Sequence, residues 1–231
     1  MGIFDFFRKP RTWNWHYDRG MACGSGGKFD AALEHFKKAA EMAPGEPGPP
    51  YQLGYTYFLL KDFAKALPEF EKTQALTPGY FTVETDIDLC RRMLDGRLSL
   101  PALSILHQLL VASDSNQLGS PKSLTLAKQA VELAPDCPLA HFLFAKAVFA
   151  TDPAESINAM QRCLEFGPDN TTAIQARLMI GTHLYSAGHP DQAFEMWRSI
   201  LRDYSYHPLM ALVNFHLNQY GKATPGQAGP S

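Results

Sequence analysis

Five residue types recur at an interval of 34: Gly20 and Gly54, Phe29 and Phe63, Ala32 and Ala66, Phe36 and Phe70, Pro44 and Pro78. Few folds tolerate such a period. Each interval is one supersecondary unit that cannot bury its apolar face alone, so neighbouring units must stack to make a continuous core. Inside the first interval Phe29, Ala32, Leu33, Phe36, Ala39 and Ala40 fall three and four apart, the spacing of a helix that buries one stripe. Glycine breaks each interval into two helices and proline closes it. Period and stripe together specify stacked helix hairpins, an all-α chain.

Size and charge narrow the function. The chain has 231 residues, 45% of them apolar, and a formal net charge of −2. That charge is too small for a general affinity for nucleic acid or acidic membranes. No apolar run approaches the roughly 18 residues of a membrane span, and the N-terminus has no secretory pattern. Cys23, Cys90, Cys137 and Cys163 are far apart, with neither CxxC nor zinc-finger spacing. Buried free thiols are expected, which points to a reducing, intracellular compartment.

Taken in order, residues 1–12 begin MGIFDFFRKPR, an amphipathic segment with a basic end. Residues 13–78 hold two hairpins: Trp13–Gly24 with Lys28–Met42, then Tyr51–Leu60 with Phe63–Leu76. The run PGEPGPP from Pro44 to Pro50 separates them, since proline is tolerated only in a helix's first turn. The next matching proline, Pro135, comes too late by about the length of residues 79–101. That stretch is expected to be an inserted helix or an irregular repeat, with Val83, Ile87, Cys90 and Leu94 on one face and Asp88 pairing with Arg92. Residues 102–204 hold three more hairpins: Ala102–Ser113 with Ser123–Ala134, Pro138–Ala150 with Ala154–Phe166, and Thr172–Ser186 with Asp191–Asp203. The fourth is one residue short, from Pro135 to Pro168. Residues 205–220 should form a capping helix from His207 to Tyr220, and the tail 221–231, rich in glycine and proline, should be disordered.

The segment LGYTY, AKALPEF and TP, from Leu53 to Pro78, resembles the tetratricopeptide repeat, whose pattern is W-x2-L-G-x2-Y, then A-x3-F, then P. The first unit matches in Gly20, Ala32, Phe36 and Pro44, and the fifth in Gly181, Gly188, Ala193 and Trp197. The resemblance covers most of residues 13–204. It implies a right-handed superhelical solenoid of about five hairpins, with the insert near 79–101 and a C-terminal capping helix. It also implies that the first helix of each hairpin lines a concave groove for a protein or peptide. Carried over by alignment, the groove positions are Tyr17 and Met21; Tyr51, Tyr55 and Phe58; Phe142, Lys146 and Phe149; and Leu178, Thr182 and Tyr185. Some family members hold a peptide's C-terminal carboxylate with lysine, arginine and asparagine at places that are Tyr17, Met21 and Gln52 here. An apolar segment, helical or extended, is therefore the expected ligand.

Motifs for chemistry are missing. Eight histidines are present, yet there is no HExxH, no GxSxG and no glycine-rich phosphate loop. His141 stands where the family often has an aromatic residue, so it should pack. The chain therefore reads as a non-enzymatic interaction module, an adaptor, scaffold or chaperone-like protein in the cytoplasm, with no cofactor, no metal and no nucleic acid. The alternative is a self-assembling or membrane-peripheral scaffold that uses Phe4, Phe6, Phe7, Arg8 and Lys9.

Overall fold

A computed structural model describes residues 12–80 and 82–221. The N-terminal segment, with Phe4, Phe6, Phe7, Arg8 and Lys9, and the tail beyond Gly221 lie outside the described residues. Among those described there are twelve α-helices and no strand. The chain divides after Leu94 into two compact units. The N-terminal unit holds α1 (Trp13–Ser25), α2 (Phe29–Met42), α3 (Gly48–Leu59), α4 (Phe63–Leu76) and α5 (Val83–Leu94). The C-terminal unit holds α6 (Leu100–Asp114), α7 (Pro121–Leu133), α8 (Pro138–Val148), α9 (Pro153–Glu165), α10 (Asn170–Ser186), α11 (Pro190–Asp203) and α12 (Met210–Gly221). Within each unit, helices adjacent in sequence pack on one another, so hairpin stacks on hairpin.

One backbone device turns most of the hairpins. At the end of α3, Lys61 N–H donates to Phe58 C=O and Asp62 N–H to Tyr57 C=O, both at 2.9 Å. This Schellman pair needs one left-handed residue just past the helix. The same pair of bonds closes α1, α6 and α10. The left-handed residues are Gly27 (φ 71°), Lys61 (φ 62°), Asn116 (φ 55°) and Gly188 (φ 85°). Lysine is the misfit in this set, because its Cβ crowds the following carbonyl. Lys61→Gly should therefore raise stability by about 0.5–1 kcal/mol, read as a higher urea midpoint at unchanged slope. The α8 turn lacks the device: Thr151 and Asp152 N–H both donate to Val148 C=O, at 3.0 and 2.8 Å. The missing residue of the fourth repeat is absorbed there.

A second regularity sets how closely the paired helices approach. Gly20 faces Phe36, Gly54 faces Phe70 and Gly181 faces Trp197, each pair sixteen residues apart. A Cβ on those glycines would lie 2.5, 2.8 and 2.2 Å from the ring opposite. The small residue thus makes room for a flat aromatic wedge, and Phe70 and Trp197 are both fully buried. In the fourth hairpin Ala145 and Met160 hold the corresponding places, fifteen apart because the turn is shorter. Met160 is fully buried there, a flexible side chain filling a less regular gap.

Three details depart from the sequence expectation. Helix α3 starts at Gly48, not Tyr51, because Pro49 and Pro50 fit a first turn whose N–H groups have no helical acceptor anyway. In α5, Val83, Ile87 and Cys90 are buried as expected, but Leu94 is 49% exposed at the helix end. The expected Arg92–Asp88 pair forms at 2.7 Å. The last helix begins at Met210 rather than His207, since Tyr204 to Leu209 form a turn in which Leu209 N–H donates to His207 Nδ1 at 3.2 Å.

Candidate functional site

In the N-terminal unit the groove candidates Tyr17, Tyr51 and Tyr55 are half-buried, and Met21 is 40% exposed. Tyr51 and Tyr55, one turn apart on α3, stack at 6.4 Å. Tyr80, which the sequence pattern did not single out, meets Tyr51 edge-on at 5.5 Å. Glycine at position 48 lets Tyr17 and Tyr80 approach the start of α3: a Cβ there would lie 3.2 Å from Tyr17 Cε2 and 3.4 Å from Tyr80 Oη. Two fully or nearly buried rings back the array, Phe36 behind Tyr17 at 5.9 Å and Phe70 behind Tyr51 at 5.7 Å. Phe58 does not join it. That ring is 7% exposed and packs on Phe63 and Phe70.

Helix α5 adds polar groups to this face. Tyr51 Oη donates to Asp86 Oδ2 at 3.3 Å, and Thr82 Oγ1 donates to the same oxygen at 3.0 Å. Burial, and then the Asp86 charge, push the Tyr51 and Tyr55 pKa values up. Burial does the same for Tyr80. These phenols therefore stay protonated well above neutral pH and act as hydrogen-bond donors. A signal for Asp86 existed: the 34-residue interval carried on from Tyr51 lands on Thr85, its neighbour.

In the C-terminal unit the candidates spread over α8 and α10. Phe142 and Leu178 are each 5% exposed and belong to the core instead of an open face. Lys146, Phe149, Thr182 and Tyr185 are half-buried. Lys146 Nζ donates to Ser113 Oγ of α6 at 2.6 Å and lies 5.5 Å from the Phe142 ring. Phe149 packs on His183 at 4.3 Å, a contact not foreseen from spacing. His183 Nε2 meets the buried Ser156 Oγ at 3.3 Å, and that hydroxyl donates to Ala145 C=O at 3.0 Å. Thr182 Oγ1 donates to Leu178 C=O of its own helix at 2.9 Å. Tyr185 packs on Tyr220 of α12 at 4.7 Å and on Trp197 at 6.1 Å, so the capping helix covers part of it.

Residues 5–47 and 51–80 match two family models, each described as tetratricopeptide repeat. The N-terminal part of this chain is made of tetratricopeptide repeats. Among solved structures, the flexible tandem repeat domain of bacterial cellulose synthase is similar, at 12% identity and a TM-score of 0.61, covering 84% of this chain and 93% of that one. The TPR2AB-domain:pHSP90-complex of yeast Sti1 matches at 13% identity and a TM-score of 0.45, covering 94% and 88%. YrrB, a TPR protein with an unusual peptide-binding site, matches at 16% and 0.41, covering 88% and 90%. At these identities the likeness is one of fold. No curated protein matches the sequence. The glycine–ring pairs Gly20/Phe36 and Gly54/Phe70 lie in the two matched tetratricopeptide repeats, and Gly181/Trp197 repeats the arrangement in the C-terminal unit.

The remaining polar chemistry of the molecule is structural. His141 is buried, bonded through Nε2 to Pro135 C=O at 2.8 Å and stacked on Phe166. The four cysteines are free thiols, and burial pushes Cys90 and Cys163 up to about 12. Among the described residues no helix is long and apolar enough to cross a membrane.

Proposed function

We propose that this protein is a non-enzymatic interaction module, an adaptor, scaffold or chaperone-like protein, that holds an apolar protein segment against the first-helix faces of its hairpins. The observation that carries the reading is the tyrosine array of the N-terminal unit. Tyr17, Tyr51, Tyr55 and Tyr80 are half-buried rings anchored on the buried Phe36 and Phe70. Rings held this way lose little entropy on binding and supply both apolar area and a hydroxyl, the qualities that make tyrosine a frequent anchor at interfaces. Stacked hairpins curve, which makes such a face concave. Lys146, Phe149, Thr182 and Tyr185 form the matching face of the C-terminal unit. Phe58, Phe142 and Leu178 support these faces from beneath. Thiols held near 12 and a serine hydroxyl donated to a carbonyl are poor nucleophiles, which fits binding without chemistry.

A photo-crosslinking amino acid at Tyr55 should trap protein partners in cells, and the same group at Lys128 on the exposed side of α7 should not. Equal crosslinking from both positions, or crosslinking from Lys128 alone, would refute the groove. In the same assay Tyr51→Ala should reduce capture at Tyr55 severalfold, because it removes the central ring of the array.

A further inference from the structure

Lysine is seldom taken out of water without an anion beside it. Lys146 is half-buried on α8. Its hydrogen-bond partner, Ser113 Oγ, and the ring it lies over, Phe142, are both neutral. Among the described residues no carboxylate lies within ion-pair distance of Nζ. An ammonium has three hydrogens to donate, and the serine takes one. Burial lowers the Lys146 pKa, and the exposed Asp114 at the end of α6 offsets this only in part. From α10 the nearest titratable group is His183, whose own pKa burial lowers, so it adds no charge at neutral pH. Glu155, Arg162 and Glu165 of α9 line a cleft of about 310 Å³ with His141 and Phe144, on the other side of α8. Lys146 is thus a cation with incomplete compensation, set in the face that the proposed function assigns to the ligand.

We propose that Lys146 anchors an aspartate or glutamate side chain carried within the apolar segment bound by the C-terminal unit. The inference rests on the groove reading above. The ligand supplies the counter-charge that the fold leaves out, and the acid restores the lysine's charged form as water is excluded. The acid sits inside the segment rather than at its end, because Phe142 lies one helical turn before Lys146 and Phe149 one turn after it, so apolar contacts flank the charge on both sides. One cation and one hydroxyl donor match a single carboxylate. The corresponding face of the N-terminal unit carries Asp86 instead, so the preference for an acid belongs to the C-terminal unit alone.

The test is selection by the purified full-length chain from a display library of short random segments held inside a carrier loop, with a second library of free C-termini in parallel. The wild type should enrich loop segments with an acid at one fixed position between large apolar residues. In a synthetic peptide capped at both ends, changing that acid to its amide should raise Kd about tenfold or more, as for a desolvated charge pair that loses one partner. On Lys146→Met the same exchange should change Kd less than about twofold, and Lys146→Glu should select lysine or arginine at that position. Helical circular dichroism equal to wild type identifies the variants that are folded, and either one suffices. Enriched apolar segments with no fixed acid, or enrichment only among free C-termini, would overturn the assignment of Lys146 and leave the groove reading standing. Enrichment of nothing from either library would overturn both.

Discussion

Trp197→Ala should lower the stability of the C-terminal unit by about 3–5 kcal/mol, the range for a fully buried tryptophan cut to a methyl group. Trp197 is 0% exposed and lies in a cluster with Ile174, Leu178, Ala193, Ile200 and Val213. Tyr185, Phe194 and Tyr220 pack against the same cluster, so the indole is where α10, α11 and α12 meet. Its Nε1–H donates to Leu178 C=O at 3.2 Å, a bond within the buried interior. Alanine removes the wedge, leaves a cavity and strips that carbonyl of a partner. In a hairpin stack each unit contacts only its neighbours, so the damage should be local. Hydrogen exchange should show the amides of α10–α12 losing protection well before those of α8 and α9. Trp197→Phe should fall between, keeping most of the ring and losing the hydrogen bond. A loss below about 1 kcal/mol in the alanine variant would mean that α12 is held by other contacts.

Gly54→Ala is the second large effect, and its sign runs against intuition. Alanine is normally the better helix former, by about 1 kcal/mol. Here the added methyl would sit 2.8 Å from Phe70 Cδ1, against a ring that is fully buried and cannot step aside. The clash should outweigh the propensity and cost about 2–3 kcal/mol net, the scale of overpacking in a closed core. Phe70→Leu alone should also destabilise, since it thins the wedge. Together the two changes should cost less than their sum, because each relieves the other, and a double-mutant cycle from urea unfolding measures that coupling. Strict additivity would show that the glycine is not there for the ring.

Much of this was legible from spacing. The 34-residue interval placed Gly54 and Phe70 as a small–large pair. Apolar residues three and four apart placed Phe36 and Ala39 in the core. The turn chemistry was legible at Gly27 and Gly188, where glycine announces a left-handed residue. It was not legible at Lys61 and Asn116, because there the backbone conformation is imposed by the hairpin against residue preference. The early start of α3 was hidden by Pro49 and Pro50, which read as a break but serve as a first turn.

The candidate site was legible only in part. Sequence alone determined the helix hairpins, their order, the shortened fourth repeat and which residues of each first helix share a face, because a period of 3.6 residues ties every side chain to a direction about its own axis. Depth is another matter, since it depends on what a neighbouring helix lays over that face. Packing alone decided that Phe58, Phe142 and Leu178 are sealed while Tyr17, Tyr51 and Tyr55 are not. It also brought Tyr80 and Asp86 to the tyrosines, laid Tyr220 over Tyr185, and set Ser113 against Lys146 from 33 residues away.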